Sequence, residues 1–228
     1  MEHPLASLLR PRLTRAGAAE KQVLLDCLGL FHLSEEPDRR FLTHSPQEIL
    51  SSSSAYRAVH ATDPADPDAA RFWNTRLPSK VWFFGWLVHH ERLNTRAHML
   101  YRNMCKPKES HCESCPGILE TADHLFLHCP CARAVWDHLG IAIGDDVHRH
   151  PWLLGCELQL PDTVQADVML LLLWHIWKAW NAVIFDKQAS SHTDILRRLI
   201  KDMEMYGCRY KKLRFDFDRW KSYFLSRL

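Results

Sequence analysis

The chain has 228 residues, 46 % of them hydrophobic and 25 % charged, which is ordinary for a globular protein and excludes wholesale disorder. The net charge of +2 is too small to imply a nucleic-acid partner by itself. Its distribution says more, because residues 197–228 hold ten Lys/Arg against four Asp/Glu. That end is a candidate surface for anionic partners.

The N-terminus, MEHPLASLLRPRLTRAG, has charges where the apolar core of a secretory signal would lie. The expectation is an intracellular protein, nuclear or cytoplasmic and not secreted, with no membrane partner. In that compartment disulfides are disfavoured. Five of the eight cysteines fall within the 27 residues from Cys105 to Cys131, a clustering that points to metal.

In chain order, the first helical pattern is 22–30, with Val23, Leu24, Cys27 and Leu30 on one face. A polar stretch over 33–49 follows, then a short helix that Ser54 can cap, carrying Tyr56 and Val59. The run DPADPD at 63–68 is a loop and the expected flexible linker. Residues 77–93 (LPSKVWFFGWLVHHERL) form a strong helix with Pro78 in its first turn, and Val81, Phe84, Leu87 and Val88 belong to its apolar face. Thr95 caps a second helix through Met99, Leu100 and Met104, making a helical hairpin that runs into the cysteines.

Beyond the cluster, Pro130 starts a helix with Ala132, Val135, Trp136 and Leu139 at helical spacing, ended by Gly140 or Gly144. Residues 162–186 read as a long, almost uniformly apolar helix; its densest stretch, VMLLLLWHIW, is too short for a bilayer and is expected to be buried. The last predicted element is an amphipathic helix over 194–213 with a basic outer face. No run of alternating strand pattern occurs. The fold class expected is mostly α: a small helical domain stapled by a CCHC zinc site, with a C-terminal helical region. The domain limits expected are 1–50, 51–140 and 141–228.

The segment 111–131, HCESCPGILETADHLFLHCPC, carries the chemistry. Cys112-x-x-Cys115 sets two thiolates on one turn, with His124 and Cys129 as a second pair. Zinc prefers four tetrahedral N/S donors, and four protein ligands leave no position for water or substrate. The expectation is one structural Zn2+ held by Cys112, Cys115, His124 and Cys129. Cys105, His111, His128 and Cys131 remain alternatives for one ligand. His89-His90-Glu91 and His148-Arg149-His150 read as exposed pairs rather than ligands.

The run from Pro78 to Arg102, followed by C-x-x-C, ETADHLFLHCP and A-x-x-V-W, resembles the zinc-binding domain that follows the reverse transcriptase of plant non-LTR (LINE-type) retrotransposons. The likeness rests on Pro78, Lys80, Val81, Phe84, Trp86 and Leu87, on Cys112, Cys115, His124 and Cys129, and on Trp136. It extends to the Ser-Ala-Tyr segment at 54–56 and to LLLWHIWKAWNAVIFD, where Trp180 stands in place of the usual arginine. Gln47-Glu48 likewise replaces a glycine.

No Tyr/Phe-x-Asp-Asp turn of a polymerase palm is present, nor an HExxH, so no catalytic residue is expected. The resemblance implies a nucleic-acid-binding accessory module for RNA or DNA, with a reverse transcriptase polypeptide as a second possible partner. Lys80, Arg92, Arg96, Lys211, Lys212 and Arg214 are the candidate phosphate contacts, and Tyr206, Tyr210, Phe215, Trp220 and Tyr223 interleave with the C-terminal ones. The alternatives are a structural or protein-interaction module, or a relic reading frame without selected function.

Overall fold

Six consecutive residues, Val168–Leu173, are buried, and they sit in the N-terminal half of a helix of 22 residues that organises the larger part of the chain. The computed structural model describes residues 14–28, 41–42, 45–49, 51–61 and 66–228. They divide into two compact units, Met1–Ala65 and Asp66–Leu228.

In the first unit, α1 (Arg15–Leu28) begins earlier than the sequence pattern predicts, and Val23 and Leu24 are exposed. Leu30, the polar run 33–40 and the linker residues 63–65 lie outside the described residues. Two short strands, β1 (Phe41–Leu42) and β2 (Ser45–Ile49), pair antiparallel. Helix α2 (Ser52–Val59) is capped by Ser51, not Ser54. Ser54 is the third helical residue and completes a capping box: its backbone N–H donates to Ser51 Oγ at 3.0 Å, and its own Oγ accepts from the Ser51 N–H at 2.8 Å.

The second unit opens with α3 (Ala69–Trp73) and α4 (Ser79–His89). Pro78 sits at the N-cap of α4, and Val81, Phe84, Gly85 and Val88 form its buried face. Thr95 caps α5 (Arg96–Tyr101) as expected, its hydroxyl accepting from the His98 N–H at 3.2 Å. That helix ends before Met104. A hairpin of β3 (His111–Cys112) and β4 (Cys115–Leu119) follows, with Cys112 opposite Cys115. The sequence pattern misses it because strands of two and five residues, with Pro116 and Gly117 inside the second, carry no period-2 signal.

Helix α6 (Pro130–Leu139) starts at Pro130 and stops at Gly140, whose φ of +65° is the left-handed C-cap glycine favours. Four 3-10 turns lead to α7 (Gln165–Asp186). By length and apolar composition residues Asp162–Asp186 pass for a membrane span. In the fold they form the core helix, packed against α4, α8 (His192–Tyr206) and the turn Pro151–Leu153. Contact with α4 is close: a Cβ on Gly85 would stand 2.6 Å from Leu170 Cδ1.

The single helix predicted over 194–213 is instead α8, a 3-10 segment Gly207–Leu213, and a further helix, α9 (Arg214–Leu225). The bend has an identifiable cause. Tyr210 takes a non-helical φ of −99° and ψ of 36°. There its hydroxyl donates to buried Asp167 at 2.7 Å and its ring stacks on Phe217 at 4.0 Å. Asp167 also accepts from the Arg76 N–H, which ties α3's exit to α7. A straight helix would carry Tyr210 off that buried acceptor. With Trp220 and Phe224 fully buried, α9 closes the core.

Candidate metal centre

Four elements converge on one point. The β3–β4 hairpin presents Cys112 and Cys115, with Gly117 at φ +84° in the second strand. Thr121 Oγ1 accepts from the His124 N–H at 3.0 Å and so starts the wide helical turn His124–His128. That turn closes when the Cys129 N–H donates to the His124 carbonyl at 2.6 Å. Cys129 is then extended, at φ −60° and ψ 133°, and forms the N-cap of α6.

The donor atoms of Cys112, Cys115, His124 and Cys129 all lie within 4.8 Å of one another, and all four residues are buried. Of the alternative ligands, Cys105, His111 and His128 make contacts outside that group, and Cys131 meets it only as the hydrogen-bond partner of Cys129. Cys105 Sγ contacts the Arg96 carbonyl, His128 lies 3.0 Å from Asp123, and exposed Cys131 faces Ser114 Oγ at 3.9 Å. His111 offers its backbone instead, the carbonyl accepting from Arg96 at 2.7 Å.

The chemistry of the set fits a metal of zinc type. Burial holds the His124 ring below its ordinary pKa, so the imidazole is neutral and able to ligate. Its Nε2 is buried without any hydrogen-bond partner, a cost of about 1–3 kcal/mol unless a ligand meets it. Burial raises the Cys112 thiol. A hydrogen bond to Cys131 and burial raise Cys129, while the same bond draws Cys131 down to about 6. A dication at the four donors reverses that order, because it deprotonates coordinating thiols outright.

A buried polar frame surrounds the centre. Glu120 is fully buried; its Oε1 accepts from the Arg96 N–H at 3.0 Å and its Oε2 from the Trp180 indole at 3.0 Å. The polar contact from position 180 is thus made by an indole N–H. Burial, the largest influence, keeps the Glu120 carboxyl above its ordinary range despite these donors. The Arg96 guanidinium donates to the His111 carbonyl and to Glu113 at 2.9 Å, which binds α5 to the hairpin. Sequence reasoning assigned Arg96 to phosphate; its side chain is engaged within the metal centre's frame. Glu120's role has no sequence signal, since one glutamate among polar residues reads as solvated.

The other candidate phosphate contacts are exposed. Lys80 lies at the start of α4, and Arg92 stands over the Trp86 ring at 5.5 Å. Lys211 and Lys212 project from the 3-10 segment, and Arg214 pairs with Asp218 at 2.9 Å. Of the interleaved aromatics, Tyr206, Tyr210 and Trp220 are core residues, Tyr223 is half-buried and Phe215 is 75 % exposed. The two histidine pairs expected at the surface are split by the fold: His89 and His148 are buried, His90 and His150 half-buried.

Comparison with known proteins places this geometry. Residues 50–136 match the family described as zinc-binding in reverse transcriptase, and no polymerase catalytic domain is found. A putative ribonuclease H protein of Arabidopsis thaliana is 27 % identical over 103 residues, which cover 43 % of this chain and 16 % of that protein. The chain therefore matches about a sixth of that relative's length. No solved structure gives a match.

Proposed function

We propose, from the premise that residues 50–136 are a zinc-binding domain of the reverse-transcriptase type, that this chain is a non-catalytic accessory module for nucleic acid, derived from a plant LINE-type element. The observation that carries the reading is the closed donor set: four buried protein ligands with no position left for a reacting group. One structural Zn2+ held by Cys112, Cys115, His124 and Cys129 supplies cross-linking, not catalysis. The four side chains tie the hairpin to the junction of the His124–His128 turn and α6. In zinc-finger peptides such binding is worth about 10–16 kcal/mol, comparable to the stability of a whole domain.

Support for the nucleic-acid part is electrostatic and local. Lys211 and Lys212 make no ion pair among the described residues, and exposed Phe215 follows Lys212 by three residues. Cations next to an exposed ring suit a single strand, through phosphate contact and base stacking. Lys80, at the start of α4, and Arg92, beyond its end, are two further exposed cations. The test is retention of labelled single-stranded RNA or DNA by zinc-loaded protein over a salt series. Binding should weaken with salt and fall sharply in the Lys211→Glu/Lys212→Glu variant. No binding at low salt refutes the reading.

A protein-interaction role has one observation in its favour. Trp73, Trp82, Phe83 and Trp86 form a ladder of touching rings at spacings of 4.3, 6.1 and 6.0 Å, and Trp73 and Phe83 are about half exposed. Such rings are enriched at interfaces. Concentration-dependent association lost in Trp73→Ser/Phe83→Ser would favour this role.

A further inference from the structure

At the C-terminal end of α4 a second set of donors meets. The Arg149 carbonyl, 2.9 Å from His89 Nδ1, can only accept, so Nδ1 carries the hydrogen. In a neutral ring Nε2 is then a bare lone pair. It faces Asp66 Oδ2 at 2.8 Å, a second acceptor. Two acceptors at that distance repel unless a cation lies between them.

A proton is one such cation; a metal ion is another, and three observations favour the metal. First, His90 Nε2 lies 3.6 Å from the same carboxylate oxygen, and the three donor atoms fall within 4.8 Å of one another. Tetrahedral zinc with bonds of ~2.0–2.1 Å spaces its ligand atoms by about 3.3 Å, a value that 2.8 and 3.6 Å bracket. A proton shared by His89 and Asp66 would account for the 2.8 Å contact but would leave His90, 3.6 Å from the same oxygen, without a role. Second, both His89 and Asp66 are oriented from behind. Asp66 Oδ1 accepts from the Asp68 N–H at 2.9 Å, and the His89 ring is held by a backbone carbonyl. Outer-shell partners of this kind fix the tautomer and aim of metal-ligating groups. Third, the last turn of a helix favours a cation there.

We propose that Asp66, His89 and His90 form a second site, separate from the thiolate centre, for a borderline divalent metal ion, with Zn2+ the chemically best match. Imidazole and carboxylate donors select such ions, and three protein ligands leave one coordination position open. The ion would fasten Asp66, the first residue of the larger unit, to the end of α4. The site is weaker than the thiolate centre, because it has one anionic ligand and the Arg149 guanidinium is close by, bonded to the His89 carbonyl at 3.1 Å. Nothing in this assignment depends on the nucleic-acid reading.

The experiment counts zinc ions per full-length chain by native mass spectrometry, at rising buffered free zinc. Wild type should take a first equivalent tightly and a second more weakly. His90→Gln and Asp66→Asn should each keep the first and weaken the second by at least ~100-fold, beyond the 10–100-fold that loss of an outer-shell partner costs. Retention of the first ion reports that both variants are folded. Saturation of wild type at one ion overturns the proposal and leaves a His89–Asp66 ion pair. So does a second ion that both variants bind as wild type does. Loss of the second ion in Asp146→Asn but in neither variant would move it to the Asp123, Asp146 and His148 group, and would overturn the assignment equally.

Discussion

Replacing Trp180 by phenylalanine isolates the buried frame behind the metal centre. The indole N–H is the donor closest to Glu120 Oε2; the Arg96 Nε stands 3.8 Å from that oxygen, beyond hydrogen-bond reach. Glu120 is fully buried, so no solvent replaces the lost donor. A hydrogen bond to a charged acceptor is worth about 1.5–3 kcal/mol, and Trp180→Phe should lose about 2 kcal/mol. In a chain of this size that is a fall in Tm of roughly 4–8 °C.

Two controls separate the hydrogen bond from lost packing on Trp177, on which the indole stacks at 4.6 Å. Trp180→Arg restores donors and should be less destabilised than Trp180→Phe. The cost of Trp180→Phe should also shrink as pH falls. Burial raises the Glu120 pKa in the folded chain, so lowering pH protonates the carboxyl and removes the charge that needed the donor. Urea unfolding of zinc-saturated protein at two pH values measures both effects. A Trp180→Phe variant within 0.5 kcal/mol of wild type, or a cost that does not change with pH, refutes this account of the frame.

Zinc removal by a chelator should unfold the hairpin and loosen α6, and Cys115→Ser should lower zinc stoichiometry; metal analysis with circular dichroism checks both. Gly85→Ala should destabilise by about 1–3 kcal/mol, since the new methyl meets Leu170 on α7; thermal melts of the two proteins decide it. His148 has both ring nitrogens buried without a hydrogen bond, Nδ1 standing 3.6 Å from Asp123, and burial holds its pKa at about 4. A depressed histidine contributes stability that is full above the unfolded value of about 6.5 and is lost as pH falls toward the folded one, about 2 kcal/mol by pH 5. A ring proton resonance of His148 that titrates with a midpoint above 6 contradicts this. Lys211→Glu/Lys212→Glu should flatten the salt dependence of single-strand binding by about 1.4 in log–log slope, if each lysine meets one phosphate.

Much of the metal centre was legible because its rules are local. C-x-x-C favours a turn, Thr121 three residues before His124 can cap, and Pro130 after Cys129 can open a helix. These follow from covalent geometry and short-range hydrogen bonding, which reach three or four residues along the chain. The resemblance to reverse-transcriptase zinc-binding domains was carried by the same local spacing, and the family match covers residues 50–136.

What the sequence could not determine lies in partners far apart along the chain. Trp180 sits 60 residues from the carboxylate that it satisfies, Tyr210 lies 43 from Asp167, and Arg149 lies 60 from His89. No periodicity encodes such meetings, so the bend at 207–213, the helix after it and the inward turn of Arg96 emerged only from packing. The same holds for His89. As part of a polar triplet it reads as exposed, yet α4 ends where Asp66 and the Arg149 carbonyl bracket its ring. The amino-acid sequence by itself determined the zinc ligands' order and the helices that carry apolar stripes, because those are properties of neighbours. Tertiary structure decided which polar side chains are buried and which donor each one meets, because burial belongs to the whole unit.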